Sequence, residues 1–149
     1  MGIQSMTEKF LVAIDASPGS ERALNAAIAV AKSSGTTLVL VHIIEWSPFS
    51  FHTPDELAER HKRREEELDR AKEALLSPAE AAASAAGVAF ESIVRHGNPA
   101  EMLADIAEEA GVIQMYVGRT GGSKTQRLLF GSVASSLIQI STVPVTVVP

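Results

Sequence analysis

The stretch Phe10-Leu11-Val12-Ala13-Ile14-Asp15-Ala16-Ser17-Pro18 decides the fold. Five apolar residues in a row, with no polar alternation, fit a strand covered on both faces, as in a parallel sheet. Ser17 is a suitable helix cap and Pro18 suits the first helical position. Leu24, Ala27, Ile28 and Ala31 then recur at helical spacing as far as Gly35, a stop signal.

The same strand-then-helix unit recurs along the chain. Thr37–Ile44 reads as a second buried strand, and Glu45–Pro54, with Trp46, Phe49 and Phe51, as a loop that covers either the ligand or the sheet edge. Asp55–Leu75 is charged, with Leu57, Leu68, Ala71 and Leu75 as one narrow core stripe. Ser77-Pro78-Ala79-Glu80 has the capping-box pattern of a helix restart. Val88–Arg95 is a third strand; Asn98-Pro99-Ala100-Glu101 opens another capped helix, with Leu103, Ile106, Ala107 and Ala110 on one face and Gly111 at its end. Ile113–Val117 is a fourth strand, Val133, Leu137 and Ile140 mark a short helix, and Val143–Val148 is the last strand. Strands alternating with helices predict one α/β domain: a parallel sheet with right-handed crossovers and helices on both faces. Ligands in such sheets bind beyond the carboxyl ends of the strands where the winding reverses. That singles out Ala13–Ser17, Ile43–Trp46, His96–Pro99 and Gly118–Ser132.

Composition narrows the function classes. The 149 residues are 46% apolar and 21% charged, as in an ordinary globular protein. The absence of cysteine excludes disulfides, thiolate catalysis and Cys-ligated zinc. A net charge of −5 argues against nucleic acid as a partner. No run approaches the ~20 apolar residues of a membrane span, and no leader pattern is seen, so a cytoplasmic location is expected.

Gly118-Arg119-Thr120-Gly121-Gly122-Ser123-Lys124-Thr125-Gln126-Arg127-Leu128-Leu129-Phe130-Gly131-Ser132 is the most informative loop. Gly118, Gly121 and Gly131 let backbone approach a ligand closely. Gly131-Ser132 opens a helix whose free amides and dipole favour an anion, and Arg119, Lys124 and Arg127 add positive charge. The other reading is a plain turn before a Ser-capped helix. Gly118–Thr125 falls one residue short of a P-loop and lacks the long helix that must follow it.

Asp15, at the end of the first strand, suits ribose hydroxyls or Mg²⁺, or else serves the start of the following helix. His42 and His96 read as hydrogen-bonded structural residues, and His52 and His61 lack a partner at metal spacing. No nucleophile elbow, kinase or metalloprotease motif is present, so a dedicated enzyme is not the expected role.

The spacing Gly-x2-Gly-x9-Gly-Ser over Gly118–Ser132 resembles the ATP-binding branch of the universal stress protein family. The first strand with its Asp15-Ala16-Ser17 turn, Leu40–Ile44, His96–Pro99, Leu128–Ala134 and Val143–Val148 resemble other parts of that family. The resemblance implies a universal stress protein domain over 8–149 after a flexible tail, 1–7. It also implies a five-stranded sheet in the order 3-2-1-4-5, of the adenine nucleotide alpha hydrolase-like kind. Ala13, with Ile14, and the backbone of Ile43 are implied to hold adenine, and Asp15 to lie near the ribose or a phosphate-bound cation. Gly118, Arg119, Gly121, Gly131, Ser132 and the N–H of Val133 are implied at the phosphates. The implied cofactor is ATP, or AMP or ADP, with Mg²⁺ through the phosphates and Asp15. The implied protein is a nucleotide-dependent stress-response regulator, a homodimer through Val143–Val148. The alternatives are a weak ATPase or nucleotidyl-transfer enzyme, and an interaction protein without nucleotide. The chain departs from the family at Ile113, where an acidic residue is usual, and at Gln114, a polar residue in a buried strand.

Overall fold

The computed structural model describes residues 7–45, 54–120 and 131–149. Of the expected 1–7 tail, all but Thr7 lies outside them. The strands are β1 (Lys9–Ala13), β2 (Thr37–Glu45), β3 (Phe90–Gly97), β4 (Gln114–Gly118) and β5 (Val145–Val148). The helices are α1 (Pro18–Ser34), α2 (Pro54–Ala71), α3 (Ser77–Ala85), α4 (Pro99–Ala110) and α5 (Ser132–Ile140). All strand pairs are parallel, in the order β3-β2-β1-β4-β5. This is the expected order.

The continuous apolar runs exist because each face of the sheet has its own core. Phe10, Val12, Leu38, Leu40 and Tyr116 point towards α1 and α3, joining Leu24, Ala27, Leu76 and Ala83. The alternate residues Leu11, Val39, Val41, Met115 and Val117 pack with Leu103 and Ile106 of α4 and Leu137 of α5. With a strand period of two, one run serves both layers. Gln114 is tolerated beside them because its side-chain amide donates to Thr146 on β5. Ile113 precedes β4 and is 44% exposed.

The caps form as the sequence indicates. Ser17 accepts from the Ser20 amide at 3.1 Å, and Asn98 from the Glu101 amide at 3.1 Å. Gly35 and Gly111 close α1 and α4 in the left-handed conformation.

Four expectations need correction. The Ser77–Glu80 capping box does not form. Ser77 is helical (φ −57°, ψ −44°), and its hydroxyl donates to the Lys72 carbonyl. The chain instead passes from α2 to α3 through a π-helical turn, Lys72–Leu76. Its wider ring accommodates Pro78, which cannot donate an i→i−4 bond and whose ring would crowd that carbonyl in a regular helix. Glu80 turns to β3, where the Ser92 hydroxyl donates to it. The core stripe of α2 is also shorter than expected. Ala71 is buried and Leu68 half-buried, but Leu57 is 54% exposed. β3 starts at Phe90 rather than Val88, whose amide still bonds the Ala83 carbonyl of α3. β5 starts at Val145 rather than Val143, at the sheet edge.

Candidate functional site

The chain winds from β1 to β2 and β3 on one side, then returns to β4 and β5 on the other. β1 is therefore the switch point, where the loops diverge and leave a crevice. A cleft of about 390 Å³ opens there, at the carboxyl ends of β1, β2 and β4. That size belongs to small-molecule sites. One wall is apolar: Val41 and Ile43 from β2, Pro99 and Leu103 from α4. The opposite wall is backbone-rich: Gly118 and Thr120 after β4, then Gly131, Ser132 and Val133 at the start of α5. Ala13, Ile14 and Asp15 lie between the two walls.

Eight of the expected site residues thus share one cleft: Ala13, Ile14, Asp15, Ile43, Gly118, Gly131, Ser132 and Val133. Arg119 is exposed and does not line it. Its backbone has a different task. The Arg119 amide donates to the Val148 carbonyl at 2.7 Å, and its carbonyl accepts from the Gly131 amide at 2.7 Å. Gly121, Lys124 and Arg127 lie outside the described residues, as do Trp46, Phe49, Phe51 and His52.

Three helices begin near this edge, and they differ. Side chains fill the first turns of α1 and α4, whereas α5 begins at Gly131 with no side-chain cap. Its first internal bond is Ser135 N–H to the Gly131 carbonyl at 3.0 Å. The amides of Ser132, Val133 and Ala134 precede that bond, so they have no intrahelical acceptor, and these residues line the cleft.

Asp15 both faces the cleft and serves the start of α1. Its Oδ1 accepts from the Ser17 amide at 2.7 Å and from the Ser17 hydroxyl. The Asp15 amide donates to the Ser20 hydroxyl at 2.9 Å, and that hydroxyl donates to the Ala13 carbonyl at 3.3 Å. The β1–α1 turn is thereby braced from both ends. His42 is a clasp between β1 and β2. Its Nδ1 lies 2.6 Å from the Ile14 carbonyl, and a carbonyl only accepts, so Nδ1 carries the proton. His96 pairs with Glu67 at 3.2 Å and ties α2 to β3; the exposed His61 pairs with Glu65 at 3.4 Å. Gly97 (φ 151°) leads into the Asn98 cap; a Cβ there would sit 2.6 Å from Met102 Cγ. Among the described residues, no group of three or more His, Cys, Asp or Glu stands ready to hold a metal ion.

The sequence reading missed Gly19. A Cβ on it would lie 2.5 Å from the Thr120 carbonyl oxygen, and one on Gly118 would lie 2.7 Å from the Gly19 carbonyl carbon. Gly118 therefore serves close packing of α1 as well as bordering the cleft. The one available signal was a glycine in the first turn of a helix, where Ala would serve local stability better. Leu103 and Val41 were missed as well, because nothing local marks them as cleft walls, whereas Pro99 and Thr120 fall within the segments that the topology singles out.

A doubly wound parallel sheet with a cleft at its switch point defines the class: a Rossmann-like α/β protein. The profile described as the universal stress protein family matches residues 6–149. The chain is 33% identical to Universal stress protein YxiE of Bacillus subtilis (strain 168) over 156 residues, covering 96% of this chain and 99% of that one. It belongs to the universal stress protein family. Among solved structures it is similar to hypothetical protein MJ0577 (TM-score 0.82, 26% identity, 96% of each chain). Two others have the same fold. One is a universal stress protein in complex with cAMP (TM-score 0.67, 24% identity, 95% of this chain and 97% of that chain). The other is from Archaeoglobus fulgidus in complex with dAMP (TM-score 0.65, 23% identity, 96% of this chain and 98% of that chain).

Proposed function

We propose that the chain is a nucleotide-dependent regulatory module that binds ATP, with AMP or ADP as alternative occupants. One observation carries this reading: a single cleft joins an apolar wall to an uncapped helix start. A purine needs apolar faces, and a phosphate chain needs converging amides. The complexes of family members with cAMP and dAMP support an adenine nucleotide as the occupant.

On this reading the base lies against Val41, Ile43, Pro99 and Leu103, with the backbone of Ala13 and Ile43 reading its edge. Ile14 and Asp15 lie beside the ribose. The amides of Ser132 and Val133 face the phosphates, with Gly118 and Gly131 allowing close approach; Arg119 and Gly121 belong to the same loop. Mg²⁺ would depend on phosphate oxygens for most of its shell, since Asp15 and Glu45 are the carboxylates lining the cleft and Asp15 Oδ1 already serves Ser17.

The competing hydrolase reading rests on Asp15 as a base. Both Ser17 donors go to Oδ1, which leaves Oδ2 as the oxygen a base would use. We extend the proposal to a homodimer through Val143–Val148, because β5 leaves one edge of the sheet without a strand neighbour.

The experiment is mass analysis of the small molecule released when purified protein is denatured, with calorimetric titration of ATP into emptied protein. An adenine nucleotide in the first and saturable heat in the second are expected. Absence of both overturns the reading.

A further inference from the structure

The Gly19–Gly118 contact lies beneath the wall that the nucleotide reading assigns to phosphate. Gly19 is the second residue of α1, between the capping Ser17 and the bracing Ser20, and it is buried. A Cβ there would lie 2.5 Å from the Thr120 carbonyl oxygen, where real Cβ contacts stay beyond 3.0 Å. The obstacle is backbone, so no rotamer change relieves it. Thr120 and Gly118 both line the cleft. The same segment is fixed on its other sides by the two Arg119 backbone bonds, to Val148 and Gly131. Gly131 is in turn the start of α5. Thr120 thus cannot retreat without disturbing the contacts that place α5.

We propose that Gly19, a residue outside the cleft lining, is a positioning residue for the phosphate wall: its missing side chain sets where Thr120 and the α5 amides stand. This rests on the nucleotide reading above and adds a specific claim to it. The purine wall, built from Val41, Ile43, Pro99 and Leu103, belongs to β2 and α4, whereas a Cβ on Gly19 would meet Thr120 and Gly118. Gly19→Ala should therefore act on phosphate recognition and spare the nucleoside.

The test is calorimetric titration of ATP and of adenosine into wild-type protein and Gly19→Ala, with thermal melts of both. Displacements of reacting or binding groups by less than 1 Å cost about tenfold or more where geometry is fixed. We expect ATP affinity to fall about tenfold while adenosine affinity stays within about twofold. Merely structural loosening would weaken both ligands alike, and that outcome overturns the proposal, as does unchanged ATP affinity. Should Gly19→Ala fail to fold, amide NMR of wild-type protein gives the answer. ATP, but not adenosine, must shift the Gly19 amide, and an unmoved Gly19 resonance under saturating ATP overturns the proposal. Wild-type protein that binds neither ligand removes the nucleotide reading and this inference with it. Wild type that binds both, with Gly19→Ala indistinguishable from it, removes the inference alone.

Discussion

Gly19 and Gly118 meet backbone to backbone, from the first turn of α1 and the last residue of β4. A Cβ on Gly118 would stand 2.7 Å from the Gly19 carbonyl carbon and 2.8 Å from its oxygen. Gly118→Ala must therefore push α1 off the sheet. Overpacking of this kind costs about 1–3 kcal/mol. Urea denaturation should show that loss, and an unchanged midpoint would mean the two elements part freely.

The amides at the start of α5 can be tested one at a time. Proline is tolerated in a first helical turn, where the lost N–H has no intrahelical partner. Ser132→Pro, at the first helical position and after an extended Gly131 (φ −67°, ψ 164°), should therefore leave the melting temperature nearly unchanged. A hydrogen bond to a charged group contributes about 1.5–3 kcal/mol, so ATP affinity should fall about tenfold or more. Unaltered affinity would remove this amide from the phosphate site.

Ser17 serves α1 and Asp15 together, capping the Ser20 amide and donating twice to the carboxylate. Ser17→Ala should cost about 1 kcal/mol or more, the usual worth of an N-cap. Asn98→Ala, which loses a cap without a carboxylate attached, should cost less in the same denaturation series.

Tyr116 is the sole tyrosine, buried between the sheet and α1 with its ring 5.5 Å from that of Phe10. Burial raises its phenol above the ordinary value of 10.0. Its contribution to stability is thus complete below that value. As pH rises further, the unfolded phenol ionises first, and stability falls until the folded pKa is passed. Phenolate absorbance of the folded protein should titrate above 10.0, and Tyr116→Phe should flatten the alkaline limb of stability against pH. A folded-state midpoint at or below the ordinary value would contradict the role of burial.

The edge of β5 offers the remaining test. Pro144 and Val148 carbonyls accept from Met115 and Arg119, so in a parallel ladder the backbone groups of Val145 and Val147 point away from β4. Val147→Pro removes an outward N–H, a change that edge strands accept. Sedimentation should shift toward the monomer. A coefficient that stays dimeric would place the interface elsewhere.

What the sequence reveals depends on how local the cause is. Phe10–Ile14 and Thr37–Ile44 read correctly because burial on both faces leaves a continuous apolar signature. Ser17, Asn98, Gly35 and Gly111 do so because caps are chemistry within one turn. The strand order followed from family resemblance, not from any residue pattern. Leu57 sits at the right helical spacing, yet periodicity names a face without saying whether anything covers it. Ser77–Glu80 has capping chemistry, but Glu80 finds Ser92 on another element, and tertiary pairing wins. The site was visible where topology collects strand ends, at Ala13, Asp15 and Ile43. Leu103 carries no local mark and Gly19 only a faint one, since their partners come from distant parts of the chain.

The π-helical turn makes the phase of α2 a matter of residue count. Each residue rotates a helix by about 100°. A π turn takes up one extra residue for nearly the rotation of an α turn. Forcing Lys72–Leu76 into ordinary α geometry at its present length would therefore swing α2 round by about that angle, parting Glu67 from His96 and turning Ala71 out of the core. Excising one residue of the turn would instead let the segment become α-helical with both contacts kept.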